Sequence, residues 1–335
     1  MRVAVIGAGN FGTVIANILA RNDCETYLWL RDEQQLHDML SDRENKRYLP
    51  GHKLAESVQP TSDLNLAASS SELLFITVPS ASFREVAKAM SEYVSPGAYV
   101  VSGTKGVEAT SFRLMSQIAM DEISHAIVGV LSGPNLAEEI AAGQFAGTVI
   151  ASEDEKLVAT VQEHLQSSRF RVYGNSDVYG VELGGALKNI YAIICGMATT
   201  LQVGQNALAM VITRSLAEMN RFAQSMGANA ITFLGLSGVG DLIATCTSPH
   251  SRNFQLGSEL AQGLSLDEAQ EKLGKLAEGV NTLEVVYRKK EELEVYMPLV
   301  DGAYRVLFRN ENILAVIGEL MTSQQQPDVE AVVPT

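Results

Sequence analysis

A single lysine lies in the otherwise apolar stretch LGGALKNIYAII, at residues 183–194. The apolar residues recur at helical spacing, which predicts a buried helix. A lysine on such a helix extends to solvent, pairs with an acid or faces a cavity. If it faces a cavity, Lys188 is placed to donate or accept a proton in general acid–base catalysis.

The segment VIGAGNFG, at residues 5–12, matches the pattern G-x-G-x-x-G through Gly7, Gly9 and Gly12. A strand pattern precedes it and a helix pattern follows it. In dinucleotide-binding folds the first glycine allows a tight turn, the second admits a pyrophosphate, and the third lets helix and strand pack closely. The segment therefore predicts a dinucleotide site, and the alternative is a plain strand-to-helix turn.

The choice between NAD and NADP depends on the end of the second predicted strand, where the sequence reads WLRD. A site for NAD usually has an acid at this point, whereas Arg31 suits the 2′-phosphate of NADP. The adjacent Asp32 either faces the ribose or caps the following helix. We predict that NADPH is preferred and that NADH is still used.

Four further segments place polar residues beside glycines or at predicted helix starts. Lys105 lies in VVSGTKGVE, Asn135 in VLSGPNLAEE, Asp241 in GLSGVGDLIATC, and residues 251–253 in TSPHSRN. Each has an ordinary explanation as a surface loop, a cap or a helix entry. With Lys188 and the glycine turn, they predict a site for a small phosphorylated carbonyl compound.

Alternating apolar strands and helices predict how the first half of the chain positions these residues. The predicted strands are 2–7, 25–30, 73–78, 98–103, 126–131, 147–152 and 169–174. Uninterrupted apolar strands of this kind are typical of a parallel sheet covered on both faces, so we predict a Rossmann-like, doubly wound α/β domain at 1–180.

The second half of the chain has helical patterns only. These patterns lie at 178–201, 206–227, 254–262, 266–273, 279–293 and 298–308. We predict an all-helical substrate domain at 181–322, with Lys188 near the junction where a two-domain enzyme usually forms its cleft. The polar segment 323–335 is predicted to be disordered.

Composition and charge exclude several classes of protein. The chain has 335 residues, of which 46% are hydrophobic, and its formal net charge is −14. The acidic balance argues against a nucleic-acid or anionic-membrane binder. The three cysteines have no metal-ligand spacing, so we predict that the protein has no metal site and is located in the reducing cytoplasm. The start MRVAVIGAG is unlike a signal peptide, and the apolar pattern at 186–201 predicts a buried helix rather than a membrane span.

A family resemblance runs from Met1 to about Met321. It is carried, in order, by GAGNFGT, GTKG, SGPNLAEE, ELGGALKNIYAI, ITRSLAEM, LSGVGDLIATCTSPHSRN and AEGVNT. Through these segments the chain resembles the bacterial NAD(P)-dependent glycerol-3-phosphate dehydrogenases. The resemblance implies the interconversion of dihydroxyacetone phosphate and sn-glycerol 3-phosphate, which supplies phospholipid synthesis.

The resemblance also implies a role for individual residues. The lysine of GGALKN is the general acid and base of the family, which implies that role for Lys188. The implied substrate-binding residues are Lys105, Gly133, Asn135, Asp241, Ser251, Arg252 and Asn253. The implied cofactor-binding residues, with the glycines Gly7, Gly9 and Gly12, are Asn10, Phe11, Arg31, Lys105, Ala137, Arg252, Leu276 and Glu278.

The departures from the family pattern are modest. The family usually has serine or threonine where this chain has Asn135, phenylalanine where it has Leu136, and valine where it has Leu276. Asparagine still donates a hydrogen bond, so we expect substrate contacts to differ only in detail.

Two other functions fit the same residues. One is a dehydrogenase of the same plan whose substrate is a carboxylate, because Arg252 also pairs with carboxylates. The other is a protein that senses a dinucleotide without turnover, although such a protein needs no proton donor. The long apolar helices would suit a homodimer.

Overall fold

The structure is a computed structural model that describes residues 1–69, 71–274 and 277–322. Residues Met1–Glu108 and Arg113–Glu182 form one unit, and Ala109–Phe112 with the residues from Leu183 onward form a second. The segment 323–335, predicted to be disordered, and the predicted cofactor residue Leu276 lie outside the described residues.

The first unit is built on one eight-stranded sheet. In chain order its strands are β1 Arg2–Ile6, β2 Glu25–Trp29, β3 Val58–Thr61, β4 Leu73–Ile76, β5 Tyr99–Ser102, β6 Ile127–Ser132, β7 Ala146–Ala151 and β8 Phe170–Asn175. Across the sheet they lie in the order β3-β2-β1-β4-β5-β6-β7-β8. The order reverses between β1 and β4, which is the point where doubly wound sheets bind ligands at the carboxyl ends of their strands.

Helices connect these strands and cover both faces of the sheet. They are α1 Asn10–Arg21, α2 Glu33–Asp42, α3 Leu64–Ala68, α4 Ser80–Met90, α5 Met115–Glu122, α6 Ala137–Ala141 and α7 Glu155–Leu165. Along β1, Val3 and Val5 pack into one apolar core while Ala4 and Ile6 pack into the other. Burial on both faces explains why the strands are uninterrupted apolar runs, and the predicted doubly wound α/β class is confirmed.

The sheet departs from the predicted parallel arrangement at β7, which runs antiparallel to β6. Only the five-residue α6 lies between them, and at about 7.5 Å it is too short to return along a strand of about 20 Å. The sequence prediction also missed β3, which has the sequence VQPT. Its proline is tolerated because β3 is an edge strand.

The second unit is helical, as predicted. Its helices are α8 Val178–Thr200, which begins in the first unit, α9 Gln205–Ser225, α10 Asp241–Thr247, α11 Arg252–Ala261, α12 Leu266–Leu273, α13 Glu278–Glu292, α14 Pro298–Arg309 and α15 Ile313–Thr322. The sequence prediction missed α10 and α15. A 3₁₀ helix at Ala230–Leu234 and a π-helical turn at Leu236–Gly240 precede α10.

Among the described helices, α8 is long and apolar enough to cross a membrane by length and composition alone. However, 94% of its apolar window is buried inside the protein. The core helix of a soluble protein has the same character, so α8 is weak evidence for a membrane span.

Glu218, on α9, is a buried carboxyl group that accepts hydrogen bonds from the start of another helix. Its oxygens accept from the backbone N–H groups of Leu299, at 2.7 Å, and Val300, at 3.3 Å, in the first turn of α14. The hydroxyl of Tyr191 donates to it at 3.3 Å. Met297 gives α14 no side-chain cap, so Glu218 supplies one from a neighbouring helix. Burial raises the pKa of Glu218 to about 8.

Replacing Glu218 with glutamine is expected to flatten part of the pH dependence of stability. A carboxyl group whose pKa is raised by folding contributes its full stability below its unfolded pKa of about 4.3. That contribution is lost as the pH rises through the folded pKa of about 8, by on the order of a few kcal/mol. The wild-type free energy of unfolding, from denaturant titrations, should therefore fall relative to that of Glu218→Gln as the pH rises.

An exposed glutamate provides the matched control. Glu284, on α13, pairs along its own helix surface with Arg288 at 3.5 Å, and its side chain is 47% exposed. Glu284→Gln should follow the wild-type pH profile closely. Parallel profiles for wild type and Glu218→Gln would contradict the buried-carboxyl interpretation.

Candidate active site

The glycine turn joins the end of β1 to the start of α1. Gly7 has φ +121°, and a Cβ there would lie 2.9 Å from the backbone of Thr77 and Val78. A Cβ on Gly12 would lie 2.0 Å from the carbonyl oxygen of Gly7, so helix and turn are in direct contact. At Gly9, by contrast, a Cβ would meet nothing within 4 Å. The turn thus leaves space in front of the helix N-terminus, which fits a pyrophosphate.

Two buried amide side chains hold this turn in place. Gln35 and Asn45 both donate to the carbonyl oxygen of Ala8, at 3.0 and 2.9 Å, and to complete the network Gln35 donates to Asn45 at 3.1 Å. Asn45 also donates to the hydroxyl of Thr13 on α1, at 2.8 Å. The sequence analysis missed both residues because neither belongs to the glycine motif. The available signal was a pair of amides, one in the first turn of α2 and one shortly after its end.

The end of β2 decides between the two interpretations of Asp32. Its Oδ1 accepts from the backbone N–H of Gln35 at 2.9 Å, so Asp32 caps α2. Arg31 lies next to it, half-exposed, with its guanidinium 3.3 Å from a carboxylate oxygen of Glu85. The guanidinium carbon of Arg31 also lies 6.0 Å from the centre of the Trp29 ring. Capping leaves Arg31 as the first side chain past the strand that is able to contact a ribose phosphate.

The loop after β5 contacts the loop after β6 through Lys105. The ammonium of Lys105 donates to the carbonyl oxygen of Gly133 at 2.9 Å. Gly133 has φ +145°, and a Cβ there would lie 3.1 Å from the backbone of Thr148. At the start of the loop after β5, a Cβ on Gly103 would lie 3.2 Å from the ring of Phe11. Lys105 and Gly133 are therefore in contact, and Phe11 lies beside the start of the Lys105 loop, at the carboxyl edge of the sheet.

The hydrogen bonds of Asn135 define the orientation of its amide. Its Nδ2 donates to the hydroxyl of Thr148 at 2.9 Å, and that hydroxyl in turn donates to the carbonyl of Ser132 at 3.0 Å. Because the hydroxyl proton is used on Ser132, Thr148 accepts from Asn135, which fixes the amide orientation. The buried Oδ1 of Asn135 has no hydrogen-bond partner among the described residues. Asn135 thus has an unused acceptor, and the bond to Thr148 uses only one of the two N–H groups of its amide.

Lys188, on α8, does not extend to solvent. It is 6% exposed, and its ammonium donates to Oδ1 of Asp241 and, at 2.6 Å, to the hydroxyl of Thr245. Asp241 is 1% exposed and opens α10, and Thr245 lies one turn later on that helix. The sequence analysis missed Thr245, although its spacing of four residues from Asp241 places both on one helix face. Of the three alternatives for Lys188, pairing with an acid is therefore the one observed.

The segment 251–253 forms the start of α11. Ser251 is the N-cap, and its Oγ accepts from the backbone N–H of Phe254 at 3.4 Å. Arg252 occupies the first helical position. Oδ1 of Asn253 accepts from the backbone N–H of Gly279, at 3.0 Å, next to Glu278 at the start of α13. A cation at a helix N-terminus, beside hydroxyl and amide groups, is suited to hold an anion such as a phosphate.

The predicted site residues fall into two groups. The first unit holds the glycine turn, Asn10 and Phe11 at the start of α1, Arg31, Lys105, Gly133, Asn135 and Ala137 at the start of α6. The second unit holds Lys188, Asp241, residues 251–253 and Glu278. Within the described ranges, no group of three or more His, Cys, Asp or Glu side chains is placed to hold a metal ion.

Hydride transfer to a carbonyl needs a nucleotide-binding fold and a group able to move a proton. The sheet with its glycine turn has the form of the first, and the second is a role that a buried lysine is chemically able to fill. The class of protein that these features indicate is a nicotinamide-dependent dehydrogenase.

Comparisons with known proteins identify the dehydrogenase family to which the chain belongs. Profiles described as the N-terminus and C-terminus of NAD-dependent glycerol-3-phosphate dehydrogenase match residues 2–158 and 177–318. The chain therefore belongs to the NAD-dependent glycerol-3-phosphate dehydrogenase family. The resemblance and the enzyme class predicted from the sequence are confirmed, and so is a nicotinamide dinucleotide as the cofactor.

Individual relatives cover nearly the whole chain. The glycerol-3-phosphate dehydrogenase (NAD(P)+) of Teredinibacter turnerae is 51% identical over 98% of this chain and 97% of its own length. That of Pseudomonas syringae pv. tomato is 53% identical over 98% of this chain and 96% of its own length. The crystal structure of glycerol-3-phosphate dehydrogenase from Coxiella burnetii is 34% identical, with a TM-score of 0.92, and covers 96% of this chain and 99% of that one.

Proposed function

We propose that the chain reduces dihydroxyacetone phosphate to sn-glycerol 3-phosphate with NAD(P)H and catalyses the reverse reaction. The observation that carries this proposal is the buried group of Lys188, Asp241 and Thr245, in a chain of this family. A buried lysine–aspartate pair adds little to stability, because the cost of removing both charges from water offsets much of their attraction, so we assign the pair a catalytic purpose.

Lys188 is the proton donor in this proposal. When bound, NAD(P)H supplies the hydride that reduces the ketone carbon. The ammonium of Lys188 gives a proton to the carbonyl oxygen, and in the reverse direction its neutral amine takes the proton from the alcohol. Asp241 and Thr245 fix the position of the amine between these states, since both lie on α10 and contact the same nitrogen atom.

The start of α11 is the proposed phosphate site. Arg252 pairs with the phosphate, and the hydroxyl of Ser251 donates to it while its oxygen caps the helix. The oxygen of Asn253 is used by Gly279, so its amide N–H groups are the part offered to substrate. The same bond ties the phosphate site to Glu278, a proposed cofactor residue.

Lys105 and Asn135 are the proposed contacts to the unphosphorylated end of the substrate. The ammonium of Lys105 polarises a carbonyl oxygen, and Gly133 orients it through the bond to its own carbonyl. The orphaned Oδ1 of Asn135 accepts from a substrate hydroxyl. Serine or threonine at this position offers a single hydroxyl, whereas Asn135 offers this oxygen together with the second N–H of its amide.

NADPH is the proposed preferred cofactor, with Arg31 reading the 2′-phosphate. The Michaelis constant for NADPH is expected to rise several-fold in Arg31→Ala while that for NADH changes little. The ion pair of Arg31 with Glu85 is exposed and contributes little to the fold, so the variant should remain folded. Steady-state kinetics with both cofactors measure the effect.

Glu85→Gln is the control, because it removes the partner of Arg31 without removing the guanidinium. That variant should retain the NADPH preference. A wild-type enzyme that favours NADH, or equal losses of both cofactors in Arg31→Ala, would show that Arg31 does not read the phosphate.

The cellular setting is part of the same proposal. We place the enzyme in the cytoplasm, where it supplies glycerol 3-phosphate for phospholipid synthesis, and we propose a homodimer. Residues 1–180 serve as the dinucleotide-binding domain and 181–322 as the substrate domain. Sedimentation of the purified protein tests the dimer.

A carboxylate substrate is the main competing function. Arg252 would bind it as it binds a phosphate, but the hydroxyl and amide of the neighbouring residues favour the three oxygens of a phosphate. A panel of keto acids assayed beside dihydroxyacetone phosphate separates the two. Tight cofactor binding with no turnover on any substrate would instead support a dinucleotide sensor.

A further inference from the structure

Arg47 lies at the end of β2, although it is 15 positions along the chain from Asp32. Its Nη1 donates to Oδ2 of Asp32 at 2.7 Å, and its guanidinium carbon lies 5.3 Å from the centre of the Tyr48 ring. The side chain is 58% exposed, so part of the guanidinium is accessible to a ligand. The ribose of a dinucleotide bound at the glycine turn lies at this end of the second strand.

Buried contacts fix the segment that carries Arg47 against the glycine turn. Asn45, two residues before it, is fully buried and donates to the carbonyl of Ala8 at 2.9 Å. The backbone N–H groups of Tyr48 and Leu49 bond in turn to Asn45, at 3.3 and 2.8 Å. Arg47 is therefore held on a short turn whose position depends on the cofactor-binding loop itself.

Asp32 creates an electrostatic problem for a 2′-phosphate. The pKa of Asp32 is lowered, mainly by the backbone N–H of Gln35 and also by Arg47, so the carboxylate is charged. A phosphate at the end of β2 would be repelled by that charge. Arg31 is itself paired with Glu85 at 3.3 Å. Without Arg47, the cluster of Arg31, Asp32 and Glu85 carries a net charge of about −1 by the usual ionisation of these groups.

We propose that Arg47 is a second determinant of cofactor choice, which neutralises Asp32 and pairs directly with the 2′-phosphate of NADPH. A guanidinium has five N–H donors, and the bond to Asp32 uses one edge of the group. This inference rests on the proposed NADPH preference and names an additional residue responsible for it.

The test measures binding of two nucleotides that differ by one phosphate. Adenosine 2′,5′-bisphosphate and adenosine 5′-monophosphate are titrated calorimetrically into wild type and Arg47→Ala. The bisphosphate should bind at least about ten-fold more weakly to the variant, because a charge-assisted pair is lost. The monophosphate should bind about equally to both proteins. Lys46→Ala is the matched control: Lys46 pairs with Asp42 at 2.8 Å, and its loss should leave both affinities unchanged.

A second background separates direct contact from charge neutralisation. Asn caps helices as well as Asp, so Asp32→Asn keeps the start of α2 while removing the charge. In that background, Arg47→Ala should still weaken the bisphosphate several-fold. No further loss there would overturn the direct contact, as would equal losses for both nucleotides in the single variant. If wild type itself binds both nucleotides equally, the NADPH preference fails; if only Arg47→Ala is without effect, the preference stands and this inference fails.

Discussion

Lys188→Met is expected to lower turnover by at least about two orders of magnitude, because the variant keeps an apolar stem but has no proton to donate. Affinity for NADPH should stay near the wild-type value, since the glycine turn and Arg31 are unchanged. Single-turnover and steady-state rates with dihydroxyacetone phosphate measure the loss, and fluorescence titration with NADPH measures cofactor binding.

The buried partner of Lys188 requires a further variant. Asp241 is 1% exposed, and removing the ammonium that faces it is expected to destabilise the fold by about 3–5 kcal/mol. Lys188→Met combined with Asp241→Asn removes both charges, so its free energy of unfolding should recover while turnover stays low. Lys188→Arg keeps a cation beside Asp241 but does not release its proton, and should be folded and inactive. Turnover above half of the wild-type value in any of these variants would make Lys188 a structural residue only.

Arg252→Ala should raise the Michaelis constant for dihydroxyacetone phosphate by about ten- to a hundred-fold, because the phosphate loses a charge-assisted hydrogen bond. Unphosphorylated dihydroxyacetone has no such bond to lose. It should be a poor substrate for both proteins, with little difference between them. The comparison of the two substrates is therefore the measurement.

Arg252→Lys tests the geometry of this contact. Lysine keeps the charge at the first position of α11 but has no planar pair of donors, so its Michaelis constant should lie between those of wild type and Arg252→Ala. Equal losses on both substrates in Arg252→Ala would assign the residue to the fold or to cofactor binding.

The fold was predictable from the sequence wherever local pattern determines structure. Apolar runs such as RVAVIG indicate a strand that is buried on both faces. The glycine spacing indicates a tight turn, and in the structure Cβ atoms at Gly7 and Gly12 would collide with the backbone. The direction of β7 was not predictable in the same way. It depends on the length of α6, and the boundaries of a five-residue helix are poorly marked in a sequence.

The chemistry of the candidate site was predictable by residue type but not by pairing. Lys188 and Asp241 are each unusual in their segments, yet 53 positions separate them, and only the packing of α10 on α8 shows that they meet. A sequence does not show which way the amide of Asn135 is turned. In the structure, the hydrogen bond to Thr148 fixes its orientation. Arg47 belongs to no recognisable motif. Its position at the end of β2 depends on the buried hydrogen bonds of Asn45, which a sequence does not show.

Steady-state reduction of dihydroxyacetone phosphate, with oxidation of NADPH and of NADH followed in parallel, tests most directly whether this chain is the proposed dehydrogenase. We expect rapid turnover with both cofactors, a higher kcat/KM with NADPH, and stoichiometric formation of sn-glycerol 3-phosphate. An enzyme that binds NADPH but oxidises neither cofactor with dihydroxyacetone phosphate, under conditions in which it turns over another carbonyl compound, would contradict the proposed function.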